Sequence, residues 1–298
     1  LREKNFVFTI SLLNRNKKSQ DSDLLKVEEI SLFQTSIKIT SENEFINRGI
    51  RKLNYSQDEK INDLIYRKYG NFVSGHTCSA FYTSSNKKYS VCSSWVPCFE
   101  HKSPSPEGDK IFNVYLSKID KKSFSSIELT SSSKDIIIKI LSCIPNAYNE
   151  WIKNEKIKIK SLDDHHKSTA LNNIKTAQSD SERMIEGIEF ISQNENAFKS
   201  FVYAQSAIKL QFSWSNTSQN DLEWRPFQLG FFLMNIAYLK DPHHKDRDIM
   251  DLLWFPTGGG KTEAYLLIIA FILFYKRLNP KNEIKNGLTV LMRYTLRT

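Results

Sequence analysis

The stretch "WFPTGGGKTEAYL", Trp254 to Leu266, decides how this chain is read. Three consecutive glycines lead into Lys261 and Thr262, with apolar runs on both sides. A triphosphate packs several negative charges into a small volume. A loop between a strand and a helix can surround it with backbone N–H groups, and the helix dipole adds to the attraction. Side chains would obstruct that approach, so Gly258, Gly259 and Gly260 supply clearance and access to positive φ. Lys261 adds a full charge that reaches the β- and γ-phosphates, where charge develops in phosphoryl transfer, and Thr262 offers its hydroxyl to Mg²⁺. The complete G-x4-G-K-[ST] pattern has glycine where this chain has Phe255.

Working outward, "IMDLLWF" (Ile249 to Phe255) has the composition of a buried parallel strand. After the loop comes an apolar helix, then the polar "NPKNEIKNG", then "LTVLMRYT" (Leu288 to Thr295) as a second strand. Strand, loop, helix and strand make one βαβ unit, the start of an α/β domain over residues 223–298. "EWRPFQLGFFLMNIAYL" opens it as a helix from Arg225 and Pro226 to about Leu239, proline being comfortable in a first turn. The polar "SNTSQND" (Ser215 to Asp221) marks the boundary before it.

The rest reads as an α+β body, with a β-rich domain over 1–134 and a helical region over 135–222. Strands are expected at Asn5–Leu13, Ile30–Thr40 and Lys88–Pro97, from their β-branched and aromatic content. "SQDEKINDLIYRKYG" (Ser56 to Gly70) reads as a helix with Ser56 and Glu59 at capping-box spacing, and Ile61, Leu64, Ile65 and Lys68 on one face. Ser117–Asp135 is expected as a ragged strand with turns. Pro145 marks a break or kink in the helix that follows. His165 and His166 are adjacent, without metal-ligand spacing, and read as a solvated connector. Met184, Ile185, Ile188 and Ile191 make a buried stripe.

Composition bounds the function. The net charge is +9, carried by 42 Lys and Arg against 33 Asp and Glu. Lysine dominates, so a solvated basic surface and a nucleic-acid footprint both account for the charge. Ala264 to Tyr275 is the longest apolar run and falls short of the roughly 18 residues a membrane span needs. No membrane partner and a cytoplasmic location are expected. Cys78, Cys92, Cys98 and Cys143, with His76 and His101, give H-x-C and C-x5-C-x2-H but no C-x2-C pair. Half-buried thiols explain them better than zinc does.

"PTGGGKT" resembles the phosphate loop of superfamily 2 helicases, whose glutamine motif "RPFQ" (Arg225 to Gln228) also resembles. "WRPFQLGFFLMNI", "LLWFPTGGGKTEAYLLIIAF" and "GLTVLMRYTLR" together resemble the large helicase of DISARM bacterial anti-phage systems. "RMIEGIEFI", "AFKSFVYAQSAI", "LFQTSIKIT" and "GHTCSAFY" are similar to it too. The resemblance implies that residues 223–298 start a RecA-like α/β (P-loop NTPase) domain of an ATP- and Mg²⁺-dependent DNA helicase or translocase, working with a DUF1998-type partner protein, DrmB. It implies nucleotide contacts from Arg225, Gln228, Thr257, Gly258, Gly259, Gly260, Lys261 and Thr262, with the Gln228 amide at the adenine edge. It also puts motif Ia at the second strand, where Arg293, Thr295 and Arg297 would grip single-stranded DNA through its phosphates, without reading sequence. Such a motor needs a DEAH-like acidic motif and an arginine finger from a second lobe, and neither follows Thr298. The expectation is therefore an N-terminal portion that does not hydrolyse ATP alone. The alternative is a non-motor nucleotide switch whose other region binds protein.

Overall fold

The computed structural model describes residues 6–16, 31–47, 56–95, 110–119, 124–215, 221–241, 243–255, 258–279 and 288–293. The chain divides into two compact units, Leu1–Ser103 and Pro104–Thr298.

The first unit holds β1 (Lys38–Ser41), α1 (Gln57–Ile65), β2 (Ser79–Ser85) and β3 (Lys88–Ser94). The strands form an antiparallel sheet in the order β1-β3-β2, with Ile39 opposite Val91 and Tyr82 opposite Val91 on the other side. Asn86 and Lys87 turn the β2–β3 hairpin, both at positive φ (49° and 61°), as a two-residue turn of the type that matches strand twist requires. The capping box at α1 forms as its spacing predicts: Ser56 N donates to Glu59 Oε2 (3.0 Å) and Glu59 N to Ser56 Oγ (3.2 Å). Leu64 is buried, but Ile65 points to solvent.

The early strands come out differently. Residues 6–13 pair with nothing among the described residues, and Phe6 and Phe8 are exposed. Of Ile30–Thr40 the described residues begin at Ser31, and among them only the end, from Lys38, is strand. Gln34 at φ 52° interrupts the extended run. β3 stops at Ser94, while Pro97 lies outside the described residues. The sequence reading overlooked β2 altogether.

The second unit is helical: α2 (Lys110–Ser117), α3 (Ser126–Ser131), α4 (Lys134–Lys158), α5 (Asp164–Gln193), α6 (Glu195–Ser215), α7 (Pro226–Ile236) and α8 (Lys261–Leu278). Its core joins Leu129, Ile137, Ile140, Ile191, Phe201, Trp224, Phe232 and Phe271, drawn from α3 through α8. Trp224 Nε1 donates to Gln205 Oε1 (2.7 Å), which satisfies the buried indole. Gly187 lets α5 and α7 approach closely: a Cβ there would sit 2.2 Å from the Leu233 carbonyl oxygen.

Four expectations need correction here. The supposed ragged strand contains helix α3. Ser125 Oγ caps Glu128 N, and the Asp221 carboxylate accepts from Ser126 Oγ (2.9 Å) and Ile127 N (2.8 Å). A carboxylate 94 residues from Ile127 reinforces the local Ser125 cap, and that distant part of the capping has no local signature. α4 runs through Pro145 without ending, so of the break or kink expected there the break does not occur. Its buried neighbours Leu141, Ile144 and Ala147 hold the turn whose hydrogen bond proline cannot make. His165 and His166 sit in the first turn of α5, with His166 buried, and not in a connector. Ile185 is largely out of the stripe, whose buried positions are Met184, Gly187, Ile188, Phe190 and Ile191.

The βαβ unit is the largest difference. α8 forms as expected, but residues 249–255 and 288–293 carry no ladder among the described residues. Burial along 250–255 still alternates with period two, as in an extended chain. A strand is defined by its neighbours, and none of the described residues pairs with this one.

Candidate functional site

The glycine loop sits where an apolar segment meets the first turn of α8. Gly258 and Gly260 adopt left-handed conformations at φ 78° and 87°. A Cβ on Gly258 would meet nothing within 4 Å, so the backbone faces open space there. At Gly260 a Cβ would lie 2.6 Å from Gln228 Nε2, so glycine is required twice over, by conformation and by space. α8 starts at Lys261, directly after the loop. Its first backbone N–H groups have no intrahelical acceptors, the arrangement that attracts an anion.

Lys261 Nζ donates to the carbonyl oxygen of Phe255 (2.5 Å). The ammonium is thereby folded across the loop mouth, holding the end of the incoming segment to the start of the helix. Thr262 is exposed beside it. Glu263 Oε2 is buried with no hydrogen-bond partner among the described residues, an orphaned acceptor at the base of the loop. The open glycine face, the bridging ammonium, the exposed hydroxyl and the orphaned carboxylate oxygen suit a phosphate with a divalent cation.

The upstream "RPFQ" motif is in place beneath the loop. Arg225 Nη1 donates to Gly259 O (2.9 Å), and Gln228 Nε2 to Gly260 O (2.7 Å). Gln228 Oε1 accepts from Arg225 N (2.8 Å), closing a box at the start of α7. Phe227 stacks on Phe255 with ring centroids 4.0 Å apart. The two polar side chains thus hold the carbonyls of the loop from below and leave its N–H face free. Beside this brace lies a cavity of about 520 Å³ lined by Tyr148, Trp151, Phe227, Phe231, Leu253 and Trp254. Asp180 is on its wall, and burial raises its carboxyl above the usual range.

A second set of charges lies behind the segment that leads to the loop. Arg183, only 4% exposed, crosses from α5 to Asp251 with Nη1–Oδ1 at 2.8 Å and Nη2–Oδ2 at 2.6 Å. Nη2 also donates to Met234 O in α7 (3.3 Å), and Nε faces Asp246 Oδ2 at 3.9 Å. The bond to Asp251 holds the guanidinium above its usual range. Removing one member of such a buried pair typically costs about 3–5 kcal/mol, because the other is left unpaired. His244 extends the network to the surface: Nε2 pairs with Glu186 Oε2 (3.2 Å), and Nδ1 accepts from Asp246 N (3.2 Å). Glu186, His244 and Asp246 lie close enough to ligate an ion. With Nδ1 accepting, however, a neutral imidazole carries its proton on Nε2, so neither ring nitrogen is free for a metal, and Arg183 already supplies the cation.

The structure therefore brings Arg225, Gln228, Gly258, Gly259, Gly260, Lys261 and Thr262 together. Thr257, Thr295 and Arg297 lie outside the described residues, while Arg293 is described and exposed. Sequence reasoning missed Arg183, Asp246 and Asp251. The available signal was Asp251, a carboxylate inside the apolar run "IMDLLWF", which implies a buried cation.

No family model matches the chain. It is 32% identical to the DISARM protein DrmA of Bacillus paralicheniformis. The match covers 98% of this chain and 27% of that protein, so the chain is DrmA-like along nearly its whole length and spans about a quarter of the relative. Among the described residues no helix is long and apolar enough to cross a membrane.

Proposed function

We propose that this chain carries the nucleotide-binding start of an ATP-driven DNA helicase or translocase in a DISARM-type anti-phage system. The observation that carries the reading is the loop at Gly258–Lys261, braced by Arg225 and Gln228 from beneath and open on its N–H side. The similarity to DrmA supplies the defence context. ATP is the substrate. Its β- and γ-phosphates lie on Gly258–Gly260, with Lys261 exchanging the Phe255 carbonyl for phosphate oxygen. Thr262 would hold Mg²⁺ through its hydroxyl, and the ion would supply neutralising charge for phosphoryl transfer. Gln228 and Arg225 act on the nucleotide through the loop carbonyls they hold. Contact of the Gln228 amide with the adenine edge requires it to release Arg225 N or Gly260 O.

Met250, Leu252 and Trp254 support a RecA-like lobe here. They are 94%, 85% and 84% exposed on one face of the pre-loop segment, while Asp251, Leu253 and Phe255 turn towards the helices. A central strand of a parallel sheet is covered on both faces, and this segment displays the face such a sheet would cover. Arg293, Thr295 and Arg297 are proposed to grip single-stranded DNA, and a DrmB-type protein is the proposed partner, with the assembly in the cytoplasm.

Lys261→Ala in the full-length protein tests the reading. We expect the fold to persist and ATP turnover to fall at least about 10²-fold. Normal turnover in that variant would remove the loop from the mechanism. DNA stimulation of the wild-type rate separates a motor from a nucleotide switch, which would hydrolyse slowly and indifferently to DNA.

A further inference from the structure

We infer that Arg183 is a positioning residue for the phosphate loop. It pins the pre-loop segment at Asp251 and thereby sets nucleotide affinity from the helical body. The inference rests on the nucleotide reading above for its second half, though the pin itself does not.

The geometry is specific. Asp251 stands four residues before Phe255, whose carbonyl receives the Lys261 ammonium. Backbone pairing would ordinarily hold such a segment in register, but no ladder does so among the described residues. Its height against the helices is set by side chains: Phe255 on Phe227 near the loop, and Asp251 on Arg183 further back. The aromatic contact tolerates sliding. The bidentate pair does not, because a guanidinium fork matches both carboxylate oxygens in one orientation. Arg183 is itself fixed by the Met234 carbonyl and faced by Asp246. A slip of one residue along the segment would leave two buried charges apart and turn Met250 or Leu252 towards the guanidinium. Buried ion pairs are often weak sources of stability and are best attested as devices that fix register.

The consequence is that α5 and α7 hold the loop at both ends. Arg225 and Gln228 hold Gly259 and Gly260, and Arg183 holds the approach. The network continues through Asp246 and His244 to the half-exposed Glu186 and to Lys245. A load on that surface therefore has a direct path to the nucleotide.

The test compares full-length wild type with Arg183→Lys, with the neutral double variant Arg183→Gln/Asp251→Asn, and with Lys261→Ala. The double variant removes both charges together and can still hydrogen-bond, which guards against a collapsed fold. Without nucleotide, limited chymotrypsin cleavage at Leu252–Phe255 should rise about tenfold or more in the double variant, with cutting inside α5 and α6 unchanged. With nucleotide, the dissociation constant for ATP should rise about tenfold in the double variant and by less in Arg183→Lys, which keeps the charge and loses the fork. Unchanged cleavage at the pre-loop segment overturns the pin. Faster cleavage with wild-type affinity overturns its control of nucleotide binding. If wild type and Lys261→Ala alike fail to bind ATP while the cleavage pattern holds, the nucleotide reading falls and the pin stands.

Discussion

Gly260 shows how much one residue carries. Its φ of 87° is strained for any other side chain, and a methyl group there would collide with Gln228 Nε2. Gly260→Ala should displace the Gln228 amide and weaken ATP binding about tenfold or more, with little change in helix content by circular dichroism. Wild-type affinity in that variant would mean that the brace is not needed. Cys143 illustrates burial acting on chemistry. Desolvation in the core raises its thiol to about 11. At pH 8 roughly one molecule in a thousand then carries the thiolate, so alkylation at Cys143 should be very slow while the fold is intact. Exposed Cys78 is the internal comparison, and peptide mapping after brief iodoacetamide treatment checks it. Equal labelling of the two would show that the α4 core opens readily.

At the scale of elements, the crossing of α5 and α7 holds the site together, because Arg183 and Gln228 stand on these two helices. Gly187 permits the crossing, with the Leu233 carbonyl where a Cβ would go. A backbone atom cannot move aside as a flexible side chain can. Gly187→Ala should therefore destabilise the second unit by about 3 kcal/mol, or roughly 6–12 °C in Tm. It should also weaken ATP binding more than a core truncation of equal cost placed in α4, because it moves α7 and the brace. A calorimetric scan paired with an ATP titration decides between these.

For the whole molecule, the exposed row of Met250, Leu252 and Trp254 governs behaviour in solution. Three large apolar side chains on one extended segment, whose backbone pairs with no strand among the described residues, invite association. The 298-residue chain should self-associate as its concentration rises. Leu252→Lys with Trp254→Lys should suppress this and leave Tm unchanged, since both side chains face solvent. Sedimentation velocity measures the first and thermal melting the second. Persistent association in the double variant would move the sticky surface elsewhere.

The sequence by itself determined the loop and its helix. Three glycines before Lys-Thr and an unbroken apolar run have local causes, backbone freedom and helical periodicity, and the left-handed turns at Gly258 and Gly260 and helix α8 follow from them. The capping box of α1 and the proline-led start of α7 were legible for the same reason. The tertiary structure alone decided everything that depended on a distant partner. Asp221 reinforces from a distance the Ser125 cap that starts α3, and packing carries α4 through Pro145. Gln34 cuts short a run whose composition favours strand, and Ile249–Phe255 finds no partner strand among the described residues because pairing belongs to neighbours, not to composition. Arg225 and Gln228 could be picked out in the sequence, but their grip on Gly259 and Gly260 could not. The Arg183–Asp251 pair was least visible of all, since 68 residues separate two charges that find each other only once the helices have packed.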